Sequence, residues 1–129
     1  MRIFKNAWFE RFARKQHIPD ETLLEAIKRA EKGQIDADLG SGVIKQRIAR
    51  KGQGKSGGFR TIILYRSAKR AFFVYGFAKN ACDNIEDDEE LLFKRVAAYV
   101  FGLSDKQLAD LIGKGQFLEV HKNDQKIPK

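Results

Sequence analysis

Phe59-Arg60-Thr61-Ile62-Ile63-Leu64-Tyr65-Arg66 and Ala71-Phe72-Phe73-Val74-Tyr75-Gly76-Phe77, joined by Ser67-Ala68-Lys69-Arg70, decide the fold of this chain. Both runs are rich in β-branched and aromatic side chains, which suit a pleated, buried surface. The second run is almost continuously apolar. It therefore reads as a central strand covered on both faces, because exposure would leave three phenylalanines in water. The four residues between the runs are few enough for a hairpin. Upstream, Val43-Ile44-Lys45-Gln46-Arg47-Ile48-Ala49 alternates loosely, with Ile44 and Ile48 on one face and Lys45 and Arg47 on the other. Three antiparallel strands follow as a minimum.

The same stretch carries the charge. From Val43 to Lys79 there are ten Lys or Arg residues and no Asp or Glu. Residues 1–80 hold eighteen basic and seven acidic side chains, a net of +11, whereas residues 81–129 hold seven and ten, a net of −3. Clustered cations of this kind suit a polyanion such as nucleic acid. An acidic protein partner and a merely solvated sheet face remain open on charge alone. Arg50-Lys51-Gly52-Gln53-Gly54-Lys55-Ser56-Gly57-Gly58 reads as a glycine-rich basic loop between the first two strands. Gly52 to Gly57 matches GxGxxG, but a dinucleotide fingerprint opens a helix, and a strand follows here. Gly54-Lys55-Ser56 resembles the end of a P-loop, yet Ala49 stands where its first glycine belongs.

The flanking segments supply helices. Met1 to Lys5 reads as a short strand at the sheet edge. Ala7 to Lys15 places Trp8, Phe9, Phe12 and Ala13 at helical spacing, a core-facing stripe, and Pro19 ends that helix. Asp20 is the expected N-cap of a second helix running to about Lys32, which completes a helical hairpin over one side of the sheet. Gln34 to Gly42 reads as a loop. Asp87 or Asp88 is expected to cap a helix through about Phe101, with Leu91, Leu92, Val96, Tyr99 and Val100 facing inward and the acidic run from Glu86 to Glu90 at its positive end. Ser104 and Gln107 form a capping box for a last short helix. Phe117 to Val120 either adds a strand or lies across the core, and His121 to Lys129 reads as a frayed tail.

The expected fold class is therefore α+β: a small, mainly antiparallel sheet packed against an N-terminal helical hairpin and C-terminal helices. At 129 residues this is expected to be one domain, residues 1–129, with 104–129 a C-terminal helical extension and tail. The single cysteine, Cys82, allows no intrachain disulfide and suits a reducing cytosol. No stretch has the length of a membrane span, so a cytoplasmic location is expected. His17 and His121 stand far apart with no metal-ligand spacing, so neither a metal nor another cofactor is expected. What remains for chemistry is Lys, Arg and Tyr. These residues can cut RNA without a metal when the substrate supplies its own nucleophile, the 2′-hydroxyl, provided the protein aligns it, stabilises the charged phosphate and moves protons. On this reading the catalytic candidates are Arg60, Lys79 and Lys55: Arg60 holds the scissile phosphate in its planar fork, Lys55 with Lys51 holds neighbouring phosphates, Lys79 serves charge stabilisation or proton transfer, and Tyr65 and Tyr75 are weaker candidates for proton transfer. Arg47, Arg50, Lys51, Lys55, Arg66 and Asn80 are the candidate RNA contacts.

Val43 to Arg47, Gly52 to Arg60 and Phe73 to Asn80, taken as an ordered set, resemble a subgroup of the RelE/HigB-type toxins of bacterial type II toxin–antitoxin modules, within the RelE/ParE superfamily. The resemblance spans nearly the whole chain. It implies a RelE-like fold, a cognate antitoxin protein as partner, and cleavage of messenger RNA on the ribosome without a cofactor, which inhibits translation. It also implies that Arg60 matches the phosphate-holding arginine after the glycine turn, Lys51 and Lys55 the basic loop, and Lys79 the lysine after the last central strand. The chain departs from the pattern at Asn80, where better-studied members carry a second catalytic arginine, at Ala81-Cys82, and near Ile85, where several carry a tyrosine. A ParE-like inhibitor of DNA gyrase, or a non-enzymatic toxin that binds only RNA or an antitoxin, stays open. So does the oligomeric state.

Overall fold

The computed structural model describes residues 1–50, 54–78 and 85–121. Its elements in chain order are β1 (Arg2–Asn6), α1 (Ala7–Lys15), α2 (Asp20–Glu31), β2 (Ala37–Gly40), β3 (Val43–Arg50), β4 (Gly54–Arg66), β5 (Arg70–Ala78), α3 (Asp87–Phe101), α4 (Asp105–Gly113) and β6 (Phe117–Glu119). The strands form one sheet in the order β2-β3-β4-β5-β1-β6. All neighbouring pairs are antiparallel except β1 with β5. The expected α+β class holds, and β3, β4 and β5 make its centre.

Helices lie on both sides of this sheet. On one side, Phe9 and Ala13 of α1 and Leu23, Ala26 and Ile27 of α2 pack on Ile44, Ile48, Phe59, Ile63 and Phe73. On the other, Ala97 and Val100 of α3 and Leu108 of α4 pack on Val43, Ile62, Leu64 and Phe72. Ser104 caps α4, its hydroxyl accepting from the Gln107 N–H at 3.1 Å. The capping box predicts this start correctly.

Several expectations need correction. The strand β1 is internal, not an edge: β5 flanks it on one side and β6 on the other. Both its faces are therefore buried, Ile3 toward α1 and α2 and Phe4 toward α3 and α4. The segment 34–42 is not all loop. Ala37–Gly40 pairs with β3 through a two-residue turn in which Ser41 (φ 54°) and Gly42 (φ 83°) are both left-handed, the backbone that tight hairpins require. Asp20 is the first helical residue instead of the cap, a position that Pro19 takes in extended backbone. Glu86 stands at the N-cap of α3, ahead of Asp87, and its backbone N–H donates to the Glu89 carboxylate at 2.9 Å. Leu91, Leu92 and Tyr99 face solvent, because α3 packs through the neighbouring stripe of Phe93, Val96, Ala97 and Val100.

The glycine-rich stretch also differs from a plain loop. The strand β4 begins at Gly54, which pairs with Arg50. Residues 51–53 between the strands lie outside the described residues. Gly58 is what lets the two strands meet: a Cβ there would stand 2.1 Å from the Ile48 carbonyl oxygen. Because that obstacle is backbone, relief requires the strands to part. Gly58→Ala is expected to cost about 3 kcal/mol of stability, read as a lower urea midpoint.

An ion cluster ties the first three elements together. The ammonium of Lys5, nearly buried, lies 2.6 Å from Glu10 of α1 and 3.3 Å from Asp20 of α2. Burial by itself pushes the Glu10 carboxyl up, but hydrogen bonds from Lys5 and Arg14 outweigh it and hold the group below its ordinary value of 4.5. A carboxyl depressed on folding contributes stability above its unfolded pKa and loses it as pH falls through the folded one. Stability should therefore drop in acid below about pH 4.5. Lys5→Met, followed by urea unfolding at neutral and acid pH, should lower stability at neutral pH and flatten the acid limb. An unchanged limb would assign the acid sensitivity to other carboxylates.

Candidate functional site

The sheet's alternation sorts the basic residues by face. In β3, Ile44, Gln46 and Ile48 turn toward α1 and α2, which leaves Lys45 and Arg47 on the α3 side. In β4, Phe59 and Ile63 pack toward α1 and α2 and Ile62 packs toward α3, so Arg60 shares the α3 side. The register then aligns Arg47 with Arg60 and Arg60 with Phe77, and one step further Lys45 with Ile62 and Ile62 with Tyr75.

Strict alternation in β5 would have put Tyr75 on the wrong side. Ala71 and Phe73 face α1 and α2, and continuing the pattern would send Tyr75 and Phe77 there as well. A bulge prevents it. The register shifts between Ile62↔Tyr75 and Ile63↔Phe73, so Val74 is the extra residue. Val74, Tyr75 and Phe77 all pack toward α3, while Gly76 turns to the other side beneath the Phe12 ring. The bulge is what brings Tyr75 onto the face of Arg60.

Two guanidinium-bearing residues directly opposite each other on adjacent strands repel, a cost the sheet carries at Arg47 and Arg60. Asp36 offsets part of it, with its carboxylate 3.8 Å from the Arg47 Nε and accepting the Arg47 backbone N–H at 2.6 Å. No such carboxylate stands beside Arg60 in an ion pair among the described residues. Its Nε is buried and has no hydrogen-bond partner among the described residues. A buried donor left unmet costs about 1–3 kcal/mol, and an anion reaching Arg60 would reduce that cost. The arrangement is suited to holding a phosphate.

Of the residues singled out from sequence, Arg47, Arg60 and Tyr75 come together at this end of the sheet. Tyr65 does not join them: it lies on the opposite face, against the α1 and α2 cluster. Arg66 lies six residues along β4 from Arg60, about 20 Å away, where it lines a separate cavity of about 410 Å³ with Arg2, Lys69, Arg70 and Asp105. Arg70 is structural, donating to the carbonyls of Val100 and Leu103 and to Asp105, which closes the C-terminal end of α3. Lys51, Lys79, Asn80, Ala81 and Cys82 lie outside the described residues. Arg50 and Lys55 stand in described strands, but their side chains are not among those described. Two residues join the site's surroundings that the sequence reading did not assign to it. Trp8 lies with its ring 4.7 Å from that of Tyr75, and Phe93 of α3 approaches the same tyrosine at 6.0 Å.

The family described as "RelE toxin of RelE / RelB toxin-antitoxin system" matches residues 1–120. The chain belongs to the RelE toxin family. The match runs from the first residue of this RelE-type toxin through α4 and β6, so the elements after Ser104 fall inside the family's extent. Membership makes the protein the toxin of a toxin–antitoxin module, with an antitoxin as its partner. No curated protein matches the chain. Among the described residues, no helix is long and apolar enough to cross a membrane.

Proposed function

We propose that this RelE-family toxin is a metal-independent endoribonuclease of the HigB-like kind, which cleaves messenger RNA on the translating ribosome in the cytoplasm and so inhibits translation. The observation that carries the reading is the partly buried Arg60 side chain, whose Nε has no hydrogen-bond partner among the described residues and which is aligned with Arg47 across β3 and β4. Arg60 holds the scissile phosphate and offsets the charge that grows on its oxygens in the transition state. The substrate's 2′-hydroxyl oxygen attacks phosphorus, the bond to the 5′-oxygen breaks, and a 2′,3′-cyclic phosphate and a 5′-hydroxyl result. Tyr75 takes part in the proton transfers this requires. Arg47, Arg50, Lys51 and Lys55 hold flanking phosphates, while Lys79 and Asn80, directly after β5, contact the reacting group.

The test is a translating extract supplied with the purified toxin, with RNA ends mapped. New 5′-hydroxyl ends confined to translated messages are expected. Cleavage of free RNA at equal rates would remove the ribosome from the reading. Intact messages alongside DNA breaks would replace it with gyrase poisoning, and intact messages and DNA would leave a binding protein.

A further inference from the structure

Trp8 is partly exposed at the edge of an aromatic cluster. Phe4, Phe9, Phe59, Phe72, Phe73 and Phe77 are buried, yet Trp8, the chain's single tryptophan, is 38% exposed. Its place follows from how β1 ends. The Asn6 side chain caps α1, accepting from the Phe9 N–H at 2.7 Å, and donates to the Val74 carbonyl at 3.2 Å. Beyond Val74 the β5 backbone has β4 on one side and no strand of the described residues on the other. Trp8, in the first turn of α1, occupies that flank. Its ring lies 5.3 Å from Phe12, nearly parallel, and 4.7 Å from Tyr75, tilted by 34°.

The site is thus divided. Its cationic side chains, Lys45, Arg47 and Arg60, stand on β3 and β4. Its aromatic ones, Tyr75 and Trp8, stand on β5 and beyond. A nucleotide is divided the same way, into a charged backbone and a flat base. Tyr75 is the diagonal neighbour of Arg60 across the β4–β5 pair, a separation of about 7–8 Å. A phosphate on Arg60 therefore places an attached nucleoside within reach of the aromatic pair.

We propose that Trp8, beside Tyr75, seats a nucleobase of the RNA whose phosphate Arg60 holds. The inference rests on the ribonuclease reading and assigns the site its base-binding side. Single-stranded RNA is held in this way, by aromatic side chains against unstacked bases next to backbone cations. The contact tolerates any base, so it positions the strand and does not select a sequence.

The single tryptophan makes the test direct. The full-length toxin is titrated at low salt with a 2′-O-methyl hexanucleotide, which it cannot cleave, and with an abasic oligomer of equal length. Labelled-oligomer anisotropy gives affinity, and tryptophan emission reports on Trp8. Expected are quenching by the base-containing oligomer alone and roughly tenfold weaker binding of it in Trp8→Leu. That variant keeps an apolar cover but has no aromatic face, and it should bind the abasic oligomer like wild type. If it does not fold, Trp8→Phe and wild-type quenching carry the test. Binding that Arg60→Ala weakens, with emission and Trp8→Leu affinity unchanged, would overturn the base seat and leave the RNA reading intact. No binding of either oligomer would remove RNA from this face and the base seat with it.

Discussion

Arg60→Ala is expected to remove the toxin's activity almost completely, lowering the rate of message cleavage by at least about 10²-fold and abolishing growth arrest on induced expression. On the proposed mechanism the reason is differential: the guanidinium matters most as negative charge builds on the phosphate, so its loss falls on the chemical step. The same substitution removes a buried Nε that has no partner among the described residues and relieves the apposition with Arg47. It should therefore leave the melting temperature unchanged or slightly higher, as expected where a site keeps an unfavourable group for function. Arg60→Lys keeps the charge but loses the planar fork, and should recover only part of the rate. Full cleavage by a soluble Arg60→Ala protein would sink the assignment of Arg60 to the scissile phosphate.

Gln46→Leu is expected to cost stability on the scale of the Gly58 substitution, about 3 kcal/mol, or roughly 10 °C in melting temperature for a domain of this size. Gln46 is fully buried on the core face of β3. Its Nε2 donates to the carbonyls of Ala26 and Gln34 at 3.0 and 3.1 Å, and its Oε1 accepts the Asp36 N–H at 2.9 Å. One side chain thus joins α2, the start of the 34–36 segment and the central sheet. Leucine fills a similar volume but satisfies none of the three backbone groups, whose desolvation is then uncompensated. The same clamp positions Asp36 beside Arg47, so the variant should also disturb the site. A loss below about 1 kcal/mol in urea unfolding would mean that water replaces the amide.

The central hairpin was legible because its signals agree. β-Branched and aromatic runs separated by a four-residue connection leave few alternatives for residues 59–77, and Ser104 with Gln107 marks a helix start through chemistry local to one turn. Leu91, Leu92 and Tyr99 misled because two adjacent stripes of α3 are both apolar at helical spacing. Periodicity shows that a helix has an apolar face, but only the sheet selects which stripe it covers. Gln46 escaped notice for a related reason. A polar residue at a core-facing position looks solvent-exposed until the distant carbonyls of Ala26 and Gln34 are brought to it.

By itself the sequence determined the α+β class, the three central strands and the concentration of cations on them, since each rests on local composition and on a side-chain period of two. The tertiary structure decided which of those cations and tyrosines meet. Lateral pairing set Arg47 against Arg60, strand length carried Arg66 to the far end, and the extra residue at Val74 turned Tyr75 to the face of Arg60 while Tyr65 stayed on the other. Register and bulges depend on partners distant in the chain, and a shift of one residue exchanges the two faces of a strand.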